Sequence, residues 1–489
     1  MKQLQHKPWF LFLLVLFFVV HGAVDNFGFI YFNEVVKIGL AILVAVLVFF
    51  LITRLIAKNT MKAALIVFFI SAWLLFFGAV FDWVKTVNFL SFLHSYSIFV
   101  PVMILSWIAF IVLINKKKIL QDKLCLYLNV LLLIYCMYDL SILTYKSTTK
   151  NTITALRQIN FDTNAIKQKP NIYLLLFDGY PGYKSLQDSF AFNNDNLYHF
   201  LEQKQFKLLP VFSNYNMTYY SMSSMLNMQY IDKPYTAFAN TADNDQERIK
   251  EIKNAAVVKE LEGIGYHFTN YSIFDIADQP SVKGNSFVVS QATLLTNKIF
   301  FNKILKDIGW HFIAGKYRIP FIEKLYRGDE RNNQFIEEHL IHNNNTDSPK
   351  FVYAHLLMPH PPLFYDSVGN KLPPEQVFDP QLAANKPYFI SYLKYANTKM
   401  EAMVSAITTT DPGAIIIVMS DHGYRDYNSG DKVEPLQFNN VCAIRFPASN
   451  YTVPQPLSNV NIFPYIFNYA FGQKMPYLAD SSVFLRDRK

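Results

Sequence analysis

The chain has few cysteines, and its first third contains long stretches without charged side chains. Only three of its 489 residues are Cys. Cys125 and Cys136 fall within one apolar run, which leaves Cys442 alone in the remainder of the chain. A disulfide within that remainder is therefore excluded, and its fold must rest on packing.

Long runs with little or no charge before residue 145 argue against an ordinary soluble domain there. Hydrophobic residues make up 52% of the chain, which includes 44 Phe and 30 Tyr. Five runs match the roughly 20 residues that a helix needs to cross a bilayer, and they predict a five-helix transmembrane domain over residues 1–145. A packed soluble core, or a cleaved signal peptide for the first run, is the alternative. The runs cover residues 8–24, 35–53, 63–81, 96–115 and 124–144.

The distribution of Lys and Arg predicts the orientation of these helices. The amino terminus and the second and fourth loops are basic, whereas the first and third loops carry little positive charge. Basic loops stay in the cytoplasm, so five spans place everything after Tyr145 outside it, as in a multi-pass inner or plasma membrane protein. The formal net charge of +8 is largely explained by these loops, and no nucleic-acid partner is expected.

The sequence after the apolar runs changes character twice. Residues 146–170 are polar and predict a linker, and residues 171–489 predict an extracytoplasmic α/β domain with a mainly parallel sheet, because apolar strands alternate with helical patterns. Three strands are expected at "NIYLLLF" (171–177), "FVYAHLL" (351–357) and "AIIIVMS" (414–420).

Polar side chains follow each of these three strands. Asp178 comes after the first, His360 after the second, and Asp421 with His422 after the third. The carboxyl ends of parallel strands share one edge, where open α/β sheets bind ligands. Carboxylate and imidazole groups bind divalent transition ions, so a metal site is expected here. Taken singly, Asp178 could be a turn or cap residue and His360 a packed loop residue.

The stretch "SNYNMTYYSMSSMLN" (213–227) contains a hydroxyl that such a metal could activate as a nucleophile. Thr218 would start a helix, whose free N–H groups and dipole attract phosphate. Metal coordination would lower the pKa of its hydroxyl and activate it. The alternative is that Thr218 only caps the helix.

Together these motifs resemble the alkaline phosphatase and sulfatase superfamily, most closely its membrane-bound phosphoethanolamine transferases and lipoteichoic acid synthases. The resemblance implies a nucleophilic Thr218 that attacks a phosphodiester, and His360 as the residue that contacts the transferred group or protonates the leaving oxygen, with His355 a weaker candidate. It also implies Asp178, Thr218, Asp421 and His422 as metal ligands. Zinc is the favoured ion, and manganese, magnesium and calcium are alternatives.

The chain departs from this family at several positions. The transferases and synthases usually have Glu where this chain has Asp178, and the disulfides of the transferases are absent. Sulfatases have a second Asp where this chain has Gly179, and mature a Cys or Ser to formylglycine. The lack of Cys near Thr218 excludes Cys-derived formylglycine there.

The expected function is a membrane-anchored, metal-dependent phosphoester transferase or hydrolase that acts through a Thr218 phospho-intermediate. Its expected partners are the membrane and a phospholipid or lipid-linked envelope substrate. The alternatives are a sulfatase-like hydrolase of envelope or extracellular esters and a non-catalytic membrane binding protein. Residues 300–327 mix aromatics with lysines and could lie at the lipid interface, although a packed helix pair is favoured.

Overall fold

The chain divides into two compact units, Met1–Thr152 with Val289–His311 and Ile153–Val288 with Phe312–Lys489. Much of the predicted linker, residues 146–170, falls outside the part of the chain that is described. The computed structural model describes residues 6–28, 30–116, 118–148, 161–231, 242–282, 291–313, 318–342, 349–425, 435–447, 451–453 and 457–485.

The first unit begins with apolar helices. Among the described residues α2 to α5 are long and apolar enough to cross a membrane. The first predicted span forms α1, but its 16 residues extend only about 24 Å, less than the roughly 30 Å of a hydrocarbon core. Four of the five predicted spans therefore have sufficient length. The helices are α1 (Phe10–Asp25), α2 (Phe32–Ala57), α3 (Thr60–Thr86), α4 (Tyr96–Lys116) and α5 (Lys118–Thr148), with a 3-10 helix at Asn88–Leu93.

The strands follow the apolar helices, and the three strands predicted as buried runs are all present. In the described parts of the chain they are β1 (Ile172–Phe177), β2 (Lys207–Leu208), β3 (Val211–Phe212), β4 (His267–Tyr271), β5 (Lys350–Leu356), β6 (Ile415–Met419), β7 (Asn439–Asn440) and β8 (Cys442–Arg445).

Helices separate these strands. They are α6 (Tyr183–Phe190), α7 (Asp195–Gln203), α8 (Thr218–Asn227), α9 (Ala242–Lys253), α10 (Ala256–Gly263), α11 (Gln291–Thr296), α12 (Phe300–Ile308), α13 (Pro320–Tyr326), α14 (Gly328–His342), α15 (Pro374–Val377), α16 (Pro380–Ala383), α17 (Lys386–Thr410) and α18 (Ile462–Phe471), and short 3-10 helices lie at Thr163–Ala165, Gly309–Phe312, Pro435–Gln437 and Asn459–Asn461.

Helices α11 and α12 belong to the first unit although they lie late in the sequence. From the sequence alone, this segment is expected in the outer α/β domain. The chain therefore enters the second unit, returns to the first over Val289–His311, and enters the second unit again.

The main sheet of the second unit has the strand order β2-β8-β6-β1-β5-β4. Strands β6, β1, β5 and β4 run parallel, whereas β8 is antiparallel to both β6 and β2. A separate pair, β3 and β7, is antiparallel. The mainly parallel sheet expected from the sequence is confirmed.

Strand β1 is buried on both faces, which explains its continuous apolar sequence. Ile172, Leu174 and Leu176 enter one apolar cluster, which also contains α18 residues. Tyr173 and the alternate residues of β1 enter a second cluster on the opposite face. Burial on both faces leaves the strand ends as the place for polar ligands.

Candidate metal centre and active site

The carboxyl ends of β1 and β6 bring three predicted ligands together. Asp178 follows β1 directly, and Asp421 and His422 follow β6 after one serine. Each of the three offers a ligand atom, and these atoms all lie within 4.8 Å of one another. All three side chains are fully buried.

The imidazole of His422 faces the two carboxylates through Nε2. This nitrogen lies 3.4 Å from Asp421 Oδ2 and 3.8 Å from Asp178 Oδ1. On the opposite side of the ring, Nδ1 lies 2.7 Å from the Gly423 carbonyl, to which it donates. That hydrogen bond places the proton on Nδ1 and leaves the Nε2 lone pair directed at the carboxylates, as metal-ligating histidines require.

Two carboxylate oxygens at this point have no hydrogen-bond partner among the described residues. They are Asp178 Oδ1 and Asp421 Oδ2, both buried. An unpaired buried carboxylate oxygen is costly, so such atoms usually coordinate a cation. Two carboxylates and one imidazole form a donor set that suits a divalent metal, and the residues present therefore fit the ion that the sequence predicted.

The other oxygen of each carboxylate is held by the surrounding backbone and side chains. Asp421 Oδ1 accepts from the Gly179 N–H at 3.2 Å and from the Ser420 hydroxyl at 3.3 Å. Asp178 Oδ2 accepts from His355 Nε2 at 3.1 Å, and His355 Nδ1 accepts from the Tyr353 hydroxyl at 2.8 Å. These bonds fix the orientation of both carboxylates.

His355 supports Asp178 from the neighbouring strand, a position that the sequence analysis did not assign. Tyr353 and His355 lie two apart on β5, so they point to the same face of the sheet. Burial raises the pKa of Tyr353 well above its ordinary value, which keeps the hydroxyl a donor. The signal in the sequence was this polar pair in an otherwise apolar strand.

The electrostatics of the centre favour a charged carboxylate and a neutral imidazole. Burial alone would raise the pKa of Asp178, but nearby His360, the hydrogen bond from His355 and the proximity of His422 hold that pKa well below its ordinary value. Burial lowers the pKa of His422, although Asp421 opposes the effect. Both groups therefore have the protonation state that binds a metal.

Thr218 is the first residue of α8 and lies beside these ligands. Its Oγ1 is 3.3 Å from His422 Nε2, and its side chain is buried. The helix cap is Met217, which makes no side-chain capping bond. The alternative that Thr218 serves only as a cap is therefore wrong.

Ser221, three residues after Thr218, connects α8 to the segment that carries the candidate ligands. One turn further along α8, its hydroxyl donates to the Asp421 carbonyl at 2.6 Å. Asn459 donates to the same carbonyl at 2.9 Å. These bonds fasten the start of α8 to the segment that carries Asp421 and His422.

Gly423 is required by the space around it. A Cβ added there would lie 2.5 Å from the Asn439 carbonyl oxygen and 2.8 Å from that of Leu436. Both contacts are with backbone, which cannot move as a flexible side chain does. The Asp-His-Gly sequence thus combines two candidate ligands with a glycine, and any side chain at that third position would collide with backbone.

His360 borders the centre and is partly exposed. A Cβ added to Gly179 would lie 3.6 Å from His422 and 3.8 Å from His360, so that glycine lies between the two rings. His360 Nδ1 donates to the Pro361 carbonyl at 2.6 Å. Its Nε2 accepts from Arg425 Nη2 at 3.1 Å. Arg425, three residues beyond His422, was not identified from the sequence.

Comparisons with known proteins find matches among solved structures only. No family model matches the chain, and no curated relative matches it. Among solved structures, the C-terminal periplasmic domain of EcEptC from Escherichia coli in complex with Zn is 13% identical with a TM-score of 0.41, and the match covers 65% of this chain and 86% of that chain. BT1596, a 2-O GAG sulfatase, is 11% identical with a TM-score of 0.40, covering 63% and 72%. The matched structures thus include a sulfatase.

Proposed function

We propose that this protein is a membrane-anchored, metal-dependent phosphoester transferase or hydrolase with Thr218 as its nucleophile and a phospholipid or lipid-linked envelope compound as substrate. The observation that carries the proposal is the position of the Thr218 hydroxyl. It lies at the start of a helix and 3.3 Å from the His422 nitrogen that faces two buried, unpaired carboxylate oxygens. The catalytic unit would lie outside the cytoplasm.

Asp178, Asp421 and His422 would hold the ion, with Thr218 beside it, and zinc is the favoured metal. When bound, a divalent ion would lower the pKa of the Thr218 hydroxyl and offset the negative charge of the phosphate. The first N–H groups of α8 lie at the helix end that attracts anions. A tetrahedral phosphoryl group is therefore a suitable occupant of this place.

The proposed reaction has two displacements at phosphorus. The Thr218 hydroxyl gives its proton to solvent, and its Oγ1 forms a bond to phosphorus. The bond from phosphorus to the alcohol oxygen of the lipid breaks, and that oxygen leaves with its electron pair and takes the proton that His360 Nε2 has accepted from solvent. Neutral His360 then accepts the proton of an acceptor hydroxyl, or of water, as its oxygen attacks phosphorus and releases Thr218. Such acid–base catalysis typically contributes 10²–10⁴-fold.

This role of His360 requires Arg425 to change partner. His360 Nε2 accepts a hydrogen bond from Arg425, so in this arrangement the nitrogen carries no proton. A guanidinium also binds phosphate oxygens strongly. We infer that substrate phosphate draws Arg425 away from His360, which leaves Nε2 able to carry the proton that the leaving oxygen takes.

The test is mass spectrometry of the Thr218 peptide. Detergent-purified full-length protein is incubated with bacterial phospholipids and zinc or manganese, and Thr218→Ala, Thr218→Ser and Asp421→Asn are treated alike. We expect a phosphoryl head-group adduct on the wild-type peptide, retention on the Ser variant, and loss in the other two.

Substrate assays separate the candidate functions. Turnover of an aryl phosphodiester in place of any adduct, dependent on Thr218 and metal, would indicate hydrolysis with rapid release from Thr218. An aryl sulfate turned over faster than both an aryl phosphate and the aryl phosphodiester would favour a sulfatase-like hydrolase. Metal-loaded protein that forms no adduct and turns over none of these esters would contradict the proposal and favour a binding protein.

A further inference from the structure

The segment formed by α11 and α12 packs against apolar helices of the first unit at two glycines. A Cβ on Gly22 of α1 would lie 2.5 Å from Leu295 Cδ2, and a Cβ on Gly78 of α3 would lie 2.8 Å from Lys298 Cα. The Gly78 N–H also donates to the Lys298 carbonyl at 2.7 Å. A larger residue at Gly78 would push the segment away, because the contact there is with backbone, whereas at Gly22 the flexible Leu295 side chain can shift.

Helix α12 has one face against the apolar helices. Phe300 and Ile304, four residues apart, pack against an apolar cluster that includes Phe77 and Phe99. The rings of Phe300 and Phe77 meet edge to face with centroids 4.8 Å apart. Phe301, on another face, is 65% exposed.

Ion pairs hold the polar side of the same helix. Lys303 Nζ lies 2.9 Å from Asp82 Oδ1 and 3.1 Å from Asp307 Oδ2, and Lys298 also pairs with Asp82. The Tyr96 hydroxyl donates to Asp307 Oδ2 at 2.5 Å. The charges of two lysines are thus offset by those of two aspartates, so this group of ion pairs carries no net charge.

Large exposed aromatic side chains follow Asp82, the partner of both lysines, in the sequence. Trp83 is near the end of α3, and Phe89 and Phe92 lie in the 3-10 helix that follows, all at least 60% exposed. By the Lys and Arg pattern this is the outer end of α3 and the start of α4. Aromatic side chains next to charged ones are typical of the boundary between lipid headgroups and acyl chains.

We propose that residues 291–308 form a membrane-interface element, in which Phe301 inserts into the headgroup region of the outer leaflet. The occupant of the exposed aromatic surface is the bilayer itself, because the surface lies at the end of α3 and before α4, two helices long and apolar enough to cross a membrane, and α4 itself exposes many apolar side chains. The chain would thus be attached to the membrane a second time, far in sequence from its amino-terminal helices. The proposal does not depend on the enzymatic activity.

The test measures the depth of a nitroxide label at position 301. Phe301→Cys is labelled in the full chain, reconstituted into phosphatidylethanolamine and phosphatidylglycerol vesicles, and its collision rates with oxygen and with a water-soluble nickel chelate are compared. The native cysteines are buried, which directs the label to the introduced one. Leu105→Cys, on exposed α4 surface, and Val368→Cys, 80% exposed in the second unit, give the lipid and water limits.

We expect the label at 301 to lie between these limits, with oxygen collisions raised and nickel collisions reduced at least threefold relative to Val368→Cys. Adding Gly78→Leu, which displaces the segment, should move the value toward water. A label at 301 that behaves like Val368→Cys would overturn the proposal. So would a label shielded from both reagents in a protein-concentration-dependent way, because that result would indicate a second copy of the chain.

Discussion

In the metal-free protein, Asp421→Asn should raise the stability of the second unit. The facing ligand atoms of Asp178 and Asp421 lie within 4.8 Å of each other, and both side chains are fully buried. Two like unit charges at that distance repel by roughly 3 kcal/mol at an effective dielectric constant of about 20. An Asn retains the oxygen that accepts from Gly179 and directs an amide toward Asp178. We expect a gain of about 1–3 kcal/mol, or several degrees in Tm.

Bound metal should reverse the order of stability of the wild type and Asp421→Asn. A ligand present at 1,000 times its Kd stabilises the folded state by about 4.1 kcal/mol, and the wild type should gain this amount with zinc. Asp421→Asn replaces a charged ligand with a neutral amide, so its Tm should change little with zinc. The variant is therefore expected to be the more stable protein in chelator and the less stable one in saturating zinc.

Alkylation of Cys442 provides the assay. All five Trp residues lie in the first unit, so intrinsic tryptophan fluorescence would not report on the second. Cys442 is buried in β8, and its peptide becomes labelled as the second unit unfolds during a temperature ramp. Exposed Asp188→Asn serves as a control that should match the wild type. A lower midpoint for Asp421→Asn in chelator, or a wild-type-sized zinc shift, would refute the reasoning.

Four shorter predictions concern neighbouring residues. Gly423→Ala should lower bound zinc, measured by elemental analysis, because its Cβ would collide with backbone carbonyls and displace His422; full zinc occupancy would contradict this. Gly179→Ala meets only ordinary contacts but has φ +68°, so it should cost about 1–2 kcal/mol in Tm measurements and retain zinc. Ser221→Ala should cost about 0.5–1.5 kcal/mol by the same assay, because the buried Asp421 carbonyl loses one donor and keeps that of Asn459. Burial raises the pKa of Cys442, so its contribution to stability persists below about pH 8.5 and falls above it; Cys442→Ala should flatten that alkaline decline in calorimetry.

The grouping of the candidate ligands could be predicted from the sequence because its signal is local. A continuous apolar run that ends abruptly in Asp178, or in Asp421 and His422, indicates a buried strand with polar residues at its carboxyl end. The parallel arrangement then follows from the alternation of strands and helices. The position of Thr218 at the start of a helix could likewise be read from the polar loop before it.

Other features depend on contacts between distant parts of the chain and left little trace in the sequence. His355 was identified only as a weak candidate for acid–base chemistry, whereas its contacts with Asp178 and Tyr353 depend on which strands are neighbours. Arg425 follows the ligand motif without a distinctive pattern. Residues 300–327 have a composition that suits either a packed helix pair or an interface, and the contacts of Phe300 with Phe77 and of Lys303 with Asp82 show where α12 packs.

The central position of β1 determines which polar groups can meet. Its register pairs Leu176 with Met419 of β6, so Asp178 and Asp421 each lie two residues beyond a paired position on adjacent parallel strands. Adjacent strands are about 4.8 Å apart, and two buried carboxylates at that spacing repel unless a cation lies between them. The strand register thus creates a need for positive charge at this edge of the sheet. The proposed nucleophile, Thr218, must then lie at the same edge. Helix α8 brings it there, because its Ser221 binds the carbonyl of Asp421 itself.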